Sequence, residues 1–283
     1  MSGTRLKSLG RAALALLACQ ASLVSAFAAF SSVGSIITAQ QKTSSSSWSP
    51  PTSAQLSANN VGILVIGVDN DDTTDGNTSL CTSVTDAAGN TWIKAREFTN
   101  SQGSANGGAT VCIFYSKAAA TLSSGSSITI NLAVAKTAKA VAGWAFTMNS
   151  ANVLAVESGA DLADDGADAG LMTLSGLASR EHLFIRGGAV ESNGTTYTAS
   201  TSYTSFTHTS STTSGGGGAS NMGARGEFRI LTGTSDSTDP TTSSSDQASA
   251  YIAINEDPPP QGGGPRRMFL SKNREPAATT TVR

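Results

Sequence analysis

The sequence predicts an all-β protein, an antiparallel β-sandwich of jelly-roll or Greek-key type. Three observations carry that expectation. About a dozen short runs rich in branched and aromatic residues are separated by Gly, Asn, Asp and Ser clusters. Helical periodicity is hardly visible after residue 26. One run, Val61 to Val68 (VGILVIGV), is continuously apolar over a strand-sized length, which fits a central strand buried on both faces.

In chain order, residues 1–26 begin with Arg5, Lys7 and Arg11, continue with an apolar run from Ala12 to Cys19, and end on small residues. That pattern fits a secretory signal peptide. A short docking helix with Leu6, Leu9, Ala13, Leu16 and Leu17 on one side is the competing expectation. The folded domain is expected over residues 27–257, starting with a strand from Phe27 to Thr38. The Ser44 to Ser47 run and Pro50-Pro51 should then interrupt regular pairing. After Val61 to Val68 comes a tight turn, Asp86 to Asn90, flanked by two β segments and read as a hairpin. Trp92 is expected inward, feeding a core opposite Trp144. Lys94 and Arg96 share its parity, so the strand must twist or leave the core there.

Further strands are expected at Val111 to Tyr115, Ile128 to Val134, Ala140 to Thr147, Val153 to Ser158, Leu171 to Leu174, His182 to Val190, Met222 to Leu231 and Ser249 to Asn255. In the Met222 strand, Arg225, Glu227 and Arg229 alternate on one face, where Glu227 can pair with both arginines on a solvated surface. Residues 258–283 combine a proline and glycine linker with a polar basic tail, a composition expected to be disordered unless a partner orders it.

Charge separates the termini from the body. The chain carries a formal charge of -2, yet the first eleven residues hold +3 and the segment from Gly262 onward +4, which leaves -9 on the body. An acidic body argues against nucleic acid as a partner, since phosphate contacts need a basic face. Arg266, Arg267, Lys272 and Arg274 of the tail are the candidate partner-binding residues. Charged residues make up only 13% of the chain, well below the usual quarter or so. Ser and Thr take their place, as on exposed strand faces of particle-surface and extracellular proteins.

Candidate chemistry is sparse. His182 and His208 are the two histidines, and neither falls in a metal-ligand spacing. No GxSxG elbow is present. Glu157, Glu181, Glu191 and Glu227 are the strand-borne carboxylates available for a glycosidase-type pair, but isolated surface carboxylates are the simpler reading, and no catalytic residue is assigned. Two Asp-rich stretches could hold Ca2+: Asp69, Asp71, Asp72 and Asp75, and Asp161, Asp164, Asp165 and Asp168 in a second acidic loop. The first matches an EF-hand at Asp71, Thr73, Asp75 and Gly76 but has Thr82 at position twelve, and Asp with Gly is also ordinary turn chemistry. Cys19, Cys81 and Cys112 form no regular framework, which favours buried free thiols; export would let Cys81 and Cys112 pair.

The segments SVTDAAGNTW (83–92), VGILVIGVDN (61–70) and ARGEFRILTG (224–233) resemble those of β-sandwich structural proteins of tailed-phage virions. Similar hairpins also occur in secreted bacterial adhesion proteins. The resemblance rests on fold-type hairpins over most of residues 30–256. It implies a virion structural protein, a capsid-decoration or tail-associated module without enzymatic residues, contacting other virion subunits and homo-oligomeric. The alternative expectation is a secreted or cell-surface β-sandwich for glycan binding or adhesion, and the third a carbohydrate-active enzyme.

Overall fold

In the computed structural model the described residues are 30–70, 72–76, 78–103, 107–165, 169–191, 196–207, 209–210, 221–242 and 246–257. The expected N-terminal segment, the linker and the basic tail lie outside them. The strands in chain order are β1 (Ser31–Trp48), β2 (Val61–Asp69), β3 (Cys81–Asp86), β4 (Ile93–Asn100), β5 (Ala109–Lys117), β6 (Ile128–Thr147) and β7 (Val153–Asp165). They continue as β8 (Met172–Val190), β9 (Tyr197–Thr198), β10 (Thr204–Ser205), β11 (Thr209–Ser210), β12 (Gly223–Thr238), β13 (Thr241–Thr242) and β14 (Asp246–Asp257).

Two six-stranded antiparallel sheets pack face to face. The first has the order β1-β6-β2-β5-β4, with β3 also on β6; the second runs β10-β12-β8-β14-β7, with β11 on β12. Strands β9 and β13 pair separately. Between the sheets lie Val61, Ile63 and Val65 of β2, Val111 and Ile113 of β5, Leu183 and Ile185 of β8, and Ala250, Ile252 and Ile254 of β14.

Side chains alternate across a strand, so Leu64, Ile66 and Val68 of β2 face the other way. There they meet Ile36, Trp48, Leu56, Trp92 and Leu122 in a second core. Burial on both faces is why β2 needs a continuous apolar run, and all nine of its residues are buried. A third cluster, with Phe184, Tyr203 and Tyr251, covers the outer face of the second sheet.

Several expectations are corrected by pairing over long distances. The first strand runs through the Ser-rich segment to Trp48, because Ser45 and Ser47 find partners at Lys136 and Asn131 of β6. The two expected strands around residues 128–147 are one, because β6 passes from β3 to β2 along one edge while β1 follows the other, and those around 172–190 are one, because β12 pairs with β8 from end to end. Asp161 to Asp165 belong to β7, not to a loop, and pair with residues 246–250 of β14.

The expected hairpin is a corner. Strand β3 pairs with β6 and β4 pairs with β5, so the two segments flanking the Asp86 turn do not pair with each other. Trp92 and Trp144 occupy opposite faces of the first sheet. Trp144 sits on the inter-sheet side, stacked on Phe206 with ring centroids 5.6 Å apart. Trp92 lies over Gly62 of β2, where an added Cβ would come 2.7 Å from the indole ring. Only glycine admits the ring at that distance.

Candidate functional site

Four polar assemblies bear on function. The first is the Asp86 corner. Asp86 Oδ1 accepts from the Ala88 and Asn90 main-chain N–H groups, and Oδ2 from Asn90 Nδ2 and Trp92 Nε1. Gly89 takes the left-handed conformation with φ of 76°. Both oxygens of the Asp86 carboxylate are thus committed to holding the corner and seating Trp92.

The second lies at the β4 edge. Cys81 and Cys112 form a disulfide, which joins β3 to β5 and corrects the free-thiol expectation. Beside it, buried Glu97 accepts from the Leu80 and Cys81 N–H groups at 2.6 and 2.9 Å and pairs with Lys94 at 2.6 Å. Among the described residues, Cys81, Glu97 and Cys112 are the one group of three metal-type ligands within 4.8 Å of one another. With the sulfurs bonded to each other and Glu97 fully engaged, the trio is a structural junction, not a metal centre. A ladder irregularity between Lys94 and Arg96 re-aims these side chains and resolves their parity conflict with Trp92. Arg96 grips Asp161 of β7 by two bonds of 2.6 and 2.5 Å, linking the two sheets. Thr78, Lys94, Ala95, Arg96, Glu97 and Asp161 line an open cleft of about 460 Å³. Its two cations and two anions are paired with each other, Lys94 with Glu97 and Arg96 with Asp161, so their charges balance within the recess.

The third covers the outer face of the second sheet and overturns the solvated-face expectation. Arg225 and Glu227 are fully buried, and Arg229 pairs with Asp236 at 2.8 Å, not with Glu227. Glu227 accepts from the Ser200 N–H and hydroxyl at 2.7 Å each and from the Thr238 hydroxyl. Arg186 donates to the Gly170 and Thr238 carbonyls at 2.7 and 3.2 Å, to the Ala169 carbonyl and to the Ser249 hydroxyl. Tyr203 donates to Asp236 at 2.7 Å and meets the Tyr251 hydroxyl at 2.6 Å. Burial raises both phenols and pulls the Arg225 guanidinium down to about 10, still protonated at neutral pH. The segment 196–206 closes over this network, which is why charges at strand spacing did not reach water.

The fourth joins Glu157 and His182. His182 Nε2 lies 2.9 Å from Glu157 Oε2, which also accepts from Asn255 at 2.6 Å, while Glu157 Oε1 accepts from the Ala178 N–H. Desolvation pushes the Glu157 carboxyl up, but these bonds outweigh it and hold it below its ordinary value. The His182 ring is fully buried. Glu181 accepts from the Phe30 N–H at 2.7 Å.

Among the described residues, the candidate calcium ligands Asp69 and Asp161 lie in strands β2 and β7. Asp72 caps the Thr73 and Thr74 N–H groups, Asp75 accepts from the Ser101 N–H and hydroxyl, and Asp161 is committed to Arg96. Asp69 is buried at the end of β2. Asp164 and Asp165 are in β7, with only their backbone described. Asp71, Asp168, His208, Arg266, Arg267, Lys272 and Arg274 lie outside the described residues. Sequence reasoning missed Glu97, whose acceptor role serves the N–H groups of Leu80 and Cys81 at the start of β3. The one local signal was Lys94 three residues before Glu97.

The fold defines the class of protein as an antiparallel β-sandwich with buried polar networks on its outer faces. Comparison with known protein families, curated proteins and solved structures finds no match to any of them.

Proposed function

We propose that this chain is a non-enzymatic structural module of a virion, a capsid-decoration or tail-associated β-sandwich that works through protein contacts. The observation that carries the reading is the internal use of groups that chemistry would need. Glu157, Glu181 and Glu227 are each bonded within the fold, and His182 is fully buried. A glycosidase requires two carboxylates free to face one sugar across about 5–9.5 Å. The acidic body favours protein over nucleic acid as partner, and Arg266, Arg267, Lys272 and Arg274 are the residues proposed to dock on neighbouring copies or subunits.

The Cys81–Cys112 disulfide favours a second reading, a secreted or cell-surface module for glycan binding or adhesion, because disulfides persist outside the reducing cytoplasm. Virion exteriors also keep them. Mass spectrometry of the mature N-terminus separates the two. An intact start at Met1 or Ser2 together with the protein in purified particles supports the virion module. A start near Phe27 and absence from particles defeats it in favour of the secreted one.

A further inference from the structure

We propose that Cys81, Glu97 and Cys112, once the disulfide is reduced, form a zinc site of two thiolates and one carboxylate. Register carries the geometry. Glu97 of β4 and Cys112 of β5 are direct cross-strand partners, and Cys112 is also the partner of Ile66 of β2. The two side chains of a cross-strand pair lie on one face of the sheet, here the face that carries the second core with Ile66, Cys81 and Cys112. Cys81 begins β3 beside them, its main-chain N–H donating to Glu97 Oε1 at 2.9 Å next to that of Leu80 at 2.6 Å. The two sulfurs and a Glu97 oxygen consequently lie within 4.8 Å of one another, and all three residues are buried.

Coordination needs only side-chain movement. Zn2+ binds thiolate at about 2.3 Å and carboxylate at about 2.0–2.2 Å, so a tetrahedral ion sets its ligand atoms about 3.6–3.8 Å apart. The Cys81 and Cys112 Cα atoms are 6.5 Å apart, toward the wide end of the disulfide range of about 4.4–6.8 Å. That spacing accommodates two sulfurs at the zinc separation once the bond between them is open. Glu97 keeps a place for the ion. Its Oε1 takes the two N–H groups, whereas Oε2 takes only Lys94 among the described residues, which leaves it a lone pair. The cleft lined by Thr78, Lys94 and Glu97 supplies an entry path and water for a fourth position.

Charge and ligand chemistry select the ion. Two thiolates and one carboxylate against the Lys94 ammonium, 2.6 Å from Glu97 Oε2, leave two negative charges, which one divalent cation cancels within the buried site. Sulfur ligands favour zinc over calcium or magnesium. In the disulfide form the Glu97–Lys94 pair is already neutral, and the trio is a junction only. The redox step balances. A thiol or phosphine reductant supplies two electrons, two protons join the sulfurs, and the Cys81–Cys112 bond opens to two thiols. Zinc then displaces both thiol protons to solvent as two Zn–S bonds and one Zn–O bond form. This chemistry does not rest on the function proposed above; a chain held in a reducing compartment keeps the thiols that zinc needs.

The test uses the full-length chain treated anaerobically with a phosphine reductant, with Co2+ as the spectroscopic probe and Zn2+ as competitor. The expected result is a thiolate-to-cobalt charge-transfer band that disappears on zinc addition, together with a Tm of the reduced protein raised by zinc. The disulfide form should show neither. Cys19→Ser should keep the band, and the Cys81→Ser, Cys112→Ser double variant should lose it. Glu97→Gln, which can still accept from the Leu80 and Cys81 N–H groups, should weaken zinc binding roughly tenfold or more. In its disulfide form that variant should keep the native far-UV dichroism. If reduction unfolds the chain, zinc should restore that dichroism. Absence of the band in the reduced native protein overturns the proposal. So do a band retained in the double variant, unchanged affinity in Glu97→Gln, equal binding by the disulfide form, or failure of zinc to refold a chain that reduction has unfolded.

Discussion

At the scale of single residues, Trp92 and Asp86 show how one side chain can set a corner. Trp92 fills the outer core of the first sheet over Gly62, and its ring nitrogen donates to Asp86 at 2.8 Å. Trp92→Ala is expected to lower stability by about 3–5 kcal/mol, the range for a large aromatic removed from a core. Denaturant unfolding measures this, and an unchanged midpoint would refute the packing role. Asp86→Ala leaves the four donors that converge on the carboxylate without their acceptor, at a cost of about 1–3 kcal/mol. The asparagine variant should recover part of that loss. The aspartate–glycine turn and the inward tryptophan were both legible in the sequence. Which face of the sheet received the tryptophan was not, because parity fixes sides only relative to neighbours, and the pairing partners lie far away.

At the scale of elements, the disulfide and the long strands follow from partners that local sequence does not display. Cys81 and Cys112 close a loop of sequence separation 31. On the chain-entropy account, the Cys81→Ala, Cys112→Ala double variant should lose about 3–4 kcal/mol. Equal stability of the native and double-variant proteins, compared without reductant, would show that the cross-link restrains little. Strand β2 was readable throughout, since eight consecutive apolar residues can be satisfied only by burial on both faces. The Ser-rich half of β1 carried no apolar pattern. It is a strand because β6 is long enough to pair with it, and its partners lie about ninety residues away. The Arg225, Glu227 and Arg229 alternation was read correctly as a strand and wrongly as a wet one. Segment 196–206 supplies the cover and the hydrogen-bond donors that make burial of Glu227 tolerable.

At the scale of the whole molecule, the end of the sandwich just past β8, where the Glu191 N–H donates to the Asp246 carbonyl of β14, couples stability to pH. Burial, followed by the charges of Asp246 and Asp69, raises Glu191 to about 7 from an ordinary 4.5. Because the folded value lies above the unfolded one, protonation stabilises the fold fully below about pH 4.5, and this contribution is lost as pH rises through about 7. The stability difference between native protein and Glu191→Gln should shift against the native protein as the pH rises from about 5 to about 8. A difference that stays constant across that range would refute the buried proton.

The sequence by itself determined the fold class, the central strand, the Asp86 turn and the separation of basic termini from an acidic body. These are properties of local periodicity, turn chemistry and composition, which each segment carries alone. Only the tertiary structure decided strand pairing, the state of Cys81 and Cys112, the burial of Arg225 and Glu227, and the meeting of Glu191 with Asp246. Glu191 and Asp246 lie far apart in the chain and meet because the register of β14 on β8 sets them opposite one another. The cost of burying charge depends on what closes over it, and that is a property of the assembled sandwich.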